Sequence, residues 1–290
     1  MELKITTLIE NEQDDCGELH YEHGLSLYIE FNGKKILFDT GQTGAFADNA
    51  KKLGKELQDV DFVIVSHGHY DHSGGVMRLA KEIGKETRLY IGEEFFDRKY
   101  KKIEDAENDK YYKYNGNPFS EEELEETYLK VHRITDDITW LDDKIVIFKN
   151  FKQCNSFEKT NPKFFVECAE NIPQSSNENL TQDFFNDEVV LGLVTEKGLV
   201  VVAGCSHIGI VNILSNIIER VDIPVYSVLG GTHLVEADEY RLEYTAEAFR
   251  KMKLQQIAVS HCTGEQGIEV IRREFGEKFI RNNTGNIYEV

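Results

Sequence analysis

Residues 66–75 read Ser-His-Gly-His-Tyr-Asp-His-Ser-Gly-Gly, which puts three histidines and an aspartate into the six positions from 67 to 72. Side chains of these types at such spacing hold metal ions. His67 and His69 lie two apart in an extended segment, so their rings project to one side and can grip one cation together. Asp71 and His72 follow where the chain turns into a helix, face the same cavity from another direction, and suit a second cation. Imidazole and carboxylate donors point to zinc first, with manganese or iron also compatible. One or two divalent ions are therefore the expected cofactor. Water bound to such an ion reaches a pKa of about 7 and yields hydroxide near neutrality. Asp71 is placed to orient that nucleophile as well as to ligate. A polar loop whose histidines merely hydrogen-bond is the bland alternative, and the density of the cluster argues against it.

The elements around the cluster explain how it is held. Asp61-Phe62-Val63-Ile64-Val65 is the short apolar run of a strand covered on both faces, and Gly74-Gly75 leads into the helical pattern of Val76, Leu79 and Ala80. Two more histidines follow apolar strands in the same way, His207 after residues 199–206 and His261 after residues 257–260. Strand ends along one sheet edge converge, so both are expected as further ligands. His233, after the strand 224–229, belongs at the same edge and is expected in the cavity, either touching substrate or paired with a carboxylate.

The rest of the chain reads as two similar halves. Strands are expected over 2–8, 24–31 and 34–39, the last two joined by the hairpin turn Asn32-Gly33, and then over 61–66 and 88–92. Residues 93–130 change character. They are rich in Asp, Glu, Lys and Tyr, include Lys110-Tyr111-Tyr112-Lys113-Tyr114, and carry a capping-box pattern at Ser120 and Glu123, so they are expected to form a helical insertion or lid. Residues 134–150 alternate like a hairpin turning at Asp142-Asp143-Lys144, and 169–187 read as a long surface loop. A hairpin of 188–195 with 198–204 follows, then a helical stripe at Ile210, Ile213, Leu214 and Ile217, a strand at 224–229, a helix at 237–252, a strand at 256–260 and a helix at 264–275. Two β-meanders that each feed βα units imply an α/β sandwich of two sheets face to face with helices outside.

His67-x-His69-x-Asp71-His72 resembles the metal loop of the metallo-β-lactamase superfamily, and Ile36-Leu37-Phe38-Asp39-Thr40-Gly41 is similar to its first motif, in which Asp39 would support that loop. Glu22-His23-Gly24-Leu25-Ser26, Gly204-Cys205-Ser206-His207-x-Gly209-Ile210-Val211-Asn212, Gly230-Gly231-Thr232-His233-Leu234 and His261-Cys262-Thr263-Gly264 resemble one branch of it, typified by an archaeal dihydropterin-forming synthase. The resemblance implies a four-layer αββα fold and a phosphorylated or pterin-like substrate. His23 and Asn212 match the branch and are read as substrate contacts. Gly231 and Thr232, with the helix start near 208–212, are read as backbone amides able to accept a phosphate. One departure stands out: Cys205 occupies the position at which most members carry a metal-bridging aspartate, and no histidine lies within 133–203 to act as the usual intermediate ligand, a part left to His207. The second cation would thus lack its usual bridge.

Composition sets the remaining bounds. No Pro/Gly/Ser-rich linker divides the 290 residues, so a single domain is expected, with 93–130 as its insertion. A net charge of −19, from 52 acidic and 33 basic residues, disfavours nucleic acid as a partner. No apolar stretch is long enough for a membrane span, and the N-terminus lacks a signal-peptide pattern, so a cytoplasmic protein is expected. Five cysteines, Cys16, Cys154, Cys168, Cys205 and Cys262, are odd in number and scattered, which argues against a disulfide framework. Oligomeric state stays open, a homodimer included. The function expected is that of a metal-dependent hydrolase or transferase acting on a small molecule through activated water, with Asp71 and His233 as catalytic groups. A non-catalytic metal-bound sensor or binding protein and a redox diiron protein are the alternatives; the diiron branch usually has a glutamate where His69 stands.

Overall fold

The computed structural model describes residues 2–104, 110–167 and 179–290. Strands β1 (Lys4–Ile9), β2 (Ser26–Phe31), β3 (Lys34–Phe38), β4 (Phe62–Ile64), β5 (Thr87–Gly92), β8 (Leu129–Ile134) and β17 (Ile287–Glu289) form one sheet in the order β17-β1-β2-β3-β4-β5-β8. Strands β9 (Ile138–Trp140), β10 (Ile145–Phe148), β13 (Val190–Thr195), β14 (Gly198–Ala203), β15 (Val225–Gly231) and β16 (Gln256–Ser260) form a second, ordered β16-β15-β14-β13-β10-β9. Helices α1 (Ala45–Lys52), α2 (Tyr70–Ser73), α3 (Val76–Glu82) and α4 (Glu121–Glu125) belong to the first half, and α5 (Ile210–Arg220), α6 (Glu239–Lys251) and α7 (Gly264–Phe275) to the second.

Alternation along the strands decides which face packs where. Ile36 and Phe38 of β3 meet Val200 and Val202 of β14 in a core between the two sheets. Leu37 faces the other way, into a core with Phe46 of α1 and Leu79 of α3. Val201 likewise packs on Ile213 and Leu214 of α5 and Phe249 of α6. The result is the expected layering of helices, sheet, sheet and helices.

Strands β3, β4 and β5 run parallel in the first sheet, and β14, β15 and β16 run parallel in the second. Their carboxyl ends carry Asp39, the 66–72 loop, Cys205 and His207, His233, and His261. Asp39, Ser206, His233 and His261 adopt positive φ values of 58°, 60°, 49° and 54°, a backbone region costly for residues other than glycine. Strain of this kind concentrates where a chain must turn sharply to aim a side chain.

The 93–130 segment departs from the helical expectation. Its helical part is only the short α4, opened by the Ser120/Glu123 capping box. The remainder gives two strands, β6 (Lys99–Glu104) and β7 (Lys110–Tyr114), which pair and join β11 (Phe164–Glu167) and β12 (Leu180–Gln182) in a third sheet ordered β12-β11-β6-β7. Tyr100 and Ile103 in β6 and Tyr111, Tyr112 and Tyr114 in β7 are the aromatic and β-branched residue types that suit a half-buried sheet. Of the 169–187 loop, residues 180–182 also pair in this sheet, and 169–178 lie outside the described residues, as does Cys168.

A buried ion cluster ties this third sheet to the histidine loop. Lys99 Nζ in β6 lies 3.1 Å from both Asp183 and Asp187, and the Gly68 amide donates to Asp187 at 2.7 Å. Burial alone would lower the lysine's pKa, but the two carboxylates outweigh it and raise it. Lys99→Met is expected to cost about 3–5 kcal/mol, because it leaves both aspartates buried without a counter-ion. Urea unfolding of the metal-free protein measures this, and an unchanged midpoint would refute it.

Candidate metal centre

The site begins at Asp39, fully buried at the end of β3. Its carboxylate accepts from the Ser66 amide at 2.7 Å, from the Ser66 hydroxyl at 2.9 Å and from His72 Nδ1 at 2.6 Å. Nδ1 of His72 is thereby engaged, and its Nε2 faces the cavity. Gly204 makes this approach feasible, since a Cβ there would stand 2.1 Å from Ser66 Oγ. His67 is oriented the same way, its Nδ1 3.0 Å from Ser66 Oγ. For His261 the partner is Asn11 Oδ1, 2.9 Å from Nδ1, while Glu10 accepts from the His261 amide at 2.5 Å. His207 stacks flat on Phe185, with ring centroids 3.9 Å apart, and its amide donates to Glu188 at 2.8 Å.

The donor atoms fall into three groups that share Cys205, one of them Cys205 with His233 and Cys262. Asp71, His72, Cys205 and His261 place ligand atoms within 4.8 Å of one another, as do His67, Cys205 and His207. His69 Nδ1 borders the second group, 3.1 Å from His67 Nε2. His72 Nε2 lies 3.1 Å from Cys205 Sγ and 3.2 Å from His261 Nε2, and Asp71 Oδ2 lies 3.3 Å from His261 Nε2. His69 Nε2 and both nitrogens of His207 are buried with no hydrogen-bond partner among the described residues. Buried polar atoms are rarely left so, and converging unpartnered nitrogens fit a cation.

Four of the donors, His67, His69, His207 and Asp71, are held in the form that can ligate, whereas at His72 and Cys205 a cation would have to displace a proton. Burial holds His67, His69 and His207 well below the ordinary imidazole pKa, so they are neutral and able to ligate. Burial would raise Asp71, but His72 and hydrogen bonds from His23 and His261 hold it well below the usual carboxylate range. His72 is opposed by burial and lifted by Asp39 and Asp71 to about 9. Burial, together with neighbouring Cys262 and Asp71, pushes the Cys205 thiol up.

The other expected contacts divide. His23 reaches the cavity, its Nε2 3.2 Å from Asp71 Oδ2 and its ring stacked on His261. His233 lines the cavity near Cys205 and Cys262, with Nε2 3.8 Å from Glu236. Asn212 does not reach it. Its side chain is spent on the Cys154 and Asn155 amides and the Ile208 carbonyl. The amides expected to take a phosphate are also occupied: those of Val211 and Asn212 by Glu158, those of His207 and Ile208 by Glu188, and that of Gly231 by the Gly204 carbonyl. The small size of Gly231 instead makes room for Cys262 Sγ, 2.5 Å from where a Cβ would stand. Thr232 is buried and bonds Thr263. Sequence reading gave no role to Cys262, Glu188, Phe164 or Phe185; of these only Cys262 sat inside a recognisable motif.

A family model described as the metallo-beta-lactamase superfamily matches residues 22–150. A 7,8-dihydropterin-6-methyl-4-(beta-D-ribofuranosyl)-aminobenzene-5'-phosphate synthase of Methanocaldococcus jannaschii is 32% identical, with 98% of this chain and 96% of that protein aligned. An uncharacterised protein of the same organism is 28% identical over 92% of this chain and 93% of its own length. A solved metal-dependent hydrolase of the beta-lactamase superfamily superposes with a TM-score of 0.82 at 30% identity, covering 99% of both chains.

Two outcomes are expected. Asp39→Asn should weaken zinc binding by about 10–100-fold in competition with a chromophoric chelator, because it releases the rings of His72 and, through Ser66, His67. Glu188, which burial lifts from its ordinary 4.5 to about 7, keeps its proton in the folded chain over a range where the unfolded chain has lost it. Its contribution to stability is therefore full below 4.5 and is lost as pH rises to about 7. In metal-free protein the melting temperature of Glu188→Gln should gain on the wild type across that interval; a constant difference would contradict it.

Proposed function

The chain belongs to the metallo-β-lactamase superfamily and is a metal-dependent enzyme of it, and from that premise we propose that it is a hydrolase or transferase acting on a small phosphorylated or pterin-like molecule. The observation that carries this reading is the pair of donor groups meeting at Cys205. His67, His69 and His207 with Cys205 would hold one divalent ion, and Asp71, His72 and His261 with the same sulfur a second. Zinc suits a mixed set of imidazole, thiolate and carboxylate. Bound there, divalent ions would lower the pKa of a coordinated water toward neutrality and would polarise a carbonyl or phosphoryl oxygen.

The chain's own groups then set the orientation. Asp71 presents Oδ2 between His261 and His23, so a proton taken up at this edge can pass to His23, whose side chain is about half exposed to solvent. Hydrogen bonding by Asp71 raises the pKa of His23 against the opposing effect of burial, which suits proton uptake. His233 sits across the cavity beside Glu236 and is our candidate to protonate a leaving group. Phe164 packs over His69 and His207 and keeps bulk water from the donors on that side. The likeness to the M. jannaschii synthase supports the phosphorylated, pterin-like substrate class.

Elemental analysis of the purified protein should find up to two zinc, manganese or iron ions per chain, and Cys205→Ser should lower occupancy of both positions. Turnover of a chromogenic phosphodiester or thioester should vanish with chelator and return with one of these metals. Loss of His67 and His69 together should abolish it. A protein that takes up none of the three metals, or turns over equally without them, would sink the reading.

A further inference from the structure

We propose that Lys101 and Lys113 are a built anion clasp that holds a phosphomonoester group of the substrate across the cavity from the metal donors; the inference rests on reading that cavity as a substrate site. In the third sheet β6 and β7 pair antiparallel, with Lys101 directly opposite Lys113. Like charges facing each other across a strand pair repel, and this pairing destabilises a sheet unless something answers it. Both lysines line the 370 Å³ cavity that also contains His69, Asp71, Cys205, His207 and His261. In a chain of net charge −19, two lysines aimed at one cavity mark a local reversal of sign.

The neighbours sharpen the class of ligand. Ile103, two residues on in β6, and Asn115, just past the end of β7, flank the lysine pair on opposite sides and also line the cavity. Asn115 is 8% exposed, and its side-chain oxygen has no hydrogen-bond partner among the described residues. It can accept from a hydroxyl or N–H beside the anion. On the other side β11 sets Phe164 opposite Lys101, with Nζ 5.2 Å from the ring centroid. Among the described residues the carboxylate paired with either lysine is Glu236, 3.8 Å from Lys101, and it also accepts from Asn161 and lies 3.8 Å from His233. No described carboxylate forms an ion pair with Lys113, so the two ammonium groups are under-neutralised among the described residues. Two point charges beside an apolar ring and a free acceptor suit an aromatic or ribosyl phosphate dianion better than a carboxylate.

The test uses the full-length protein after chelator treatment, in a His67→Ala/His69→Ala background, so that no metal binds the anion. Phenyl phosphate is titrated by calorimetry at low salt, with benzoate as the carboxylate arm. Lys101→Gln and Lys113→Gln are each expected to weaken phenyl phosphate binding by about tenfold. Benzoate is expected to bind more weakly than phenyl phosphate. Without ligand, Lys113→Gln should melt higher than its parent, because the cross-strand repulsion is gone; with phenyl phosphate the order should reverse. Affinity unchanged by both substitutions, equal binding of benzoate, or a melting temperature lowered by Lys113→Gln without ligand would overturn the clasp. Failure of the enzymatic reading would show separately, as absence of metal-dependent turnover with phenyl phosphate binding intact.

Discussion

Asp39 receives three hydrogen bonds at the buried end of β3, and the geometry of the metal centre follows from them. Two come from Ser66 and fix where β4 releases the chain; the third comes from His72, six residues on, and fixes where the loop returns. Between these points His67, Gly68, His69 and Asp71 have little choice of direction. A buried carboxyl group with no solvent exposure needs its hydrogen bonds, so Asp39 and the loop conformation hold each other in place.

A second layer of acids holds the surroundings in the same way. Asp187 binds the Gly68 amide and Lys99, Glu188 binds the amides of His207 and Ile208, Glu158 binds the start of α5, and Glu10 binds the amide of His261. Each is buried and each ends on backbone N–H groups next to a metal donor or on the helix behind it. The left-handed turns at Ser206 and His261 occur where these acids grip the chain. Much of the acidic excess is a solvated surface, but these members of it are the fixing points of the loops.

What the sequence made legible was the part governed by local pattern. Short apolar runs located the strands at 24–31, 34–39, 198–204 and 256–260, and the histidines placed just after the last two met those of the 67–72 loop at one edge, as parallel strands require. The third sheet was not legible because Lys and Tyr mixed without a clean period on half-exposed strands fit a polar helix face as well as a strand, and its partner β11 lies some fifty residues further on. Asn212 misled because an asparagine in a helix start next to a ligand histidine has the same sequence neighbourhood whether it faces the cavity or binds the adjacent loop at 154–155. Cys205 was recognised as a departure, yet only the geometry shows that its sulfur belongs to each of the three donor groups.

The carboxylates of Glu158 and Glu188 carry one more consequence. Unpaired amides at a helix start are where free orthophosphate and sulfate usually lodge in proteins. Here the chain has filled both places with its own side chains, beside His207 and at the head of α5. Inorganic anions thus find no open amide seat at the start of α5 among the described residues. Discrimination among small-molecule substrates is then left to the cavity wall contributed in part by the third sheet, whose strands lie far from the histidine loop in sequence. Substrate preference can drift there without disturbing the donors that perform the chemistry.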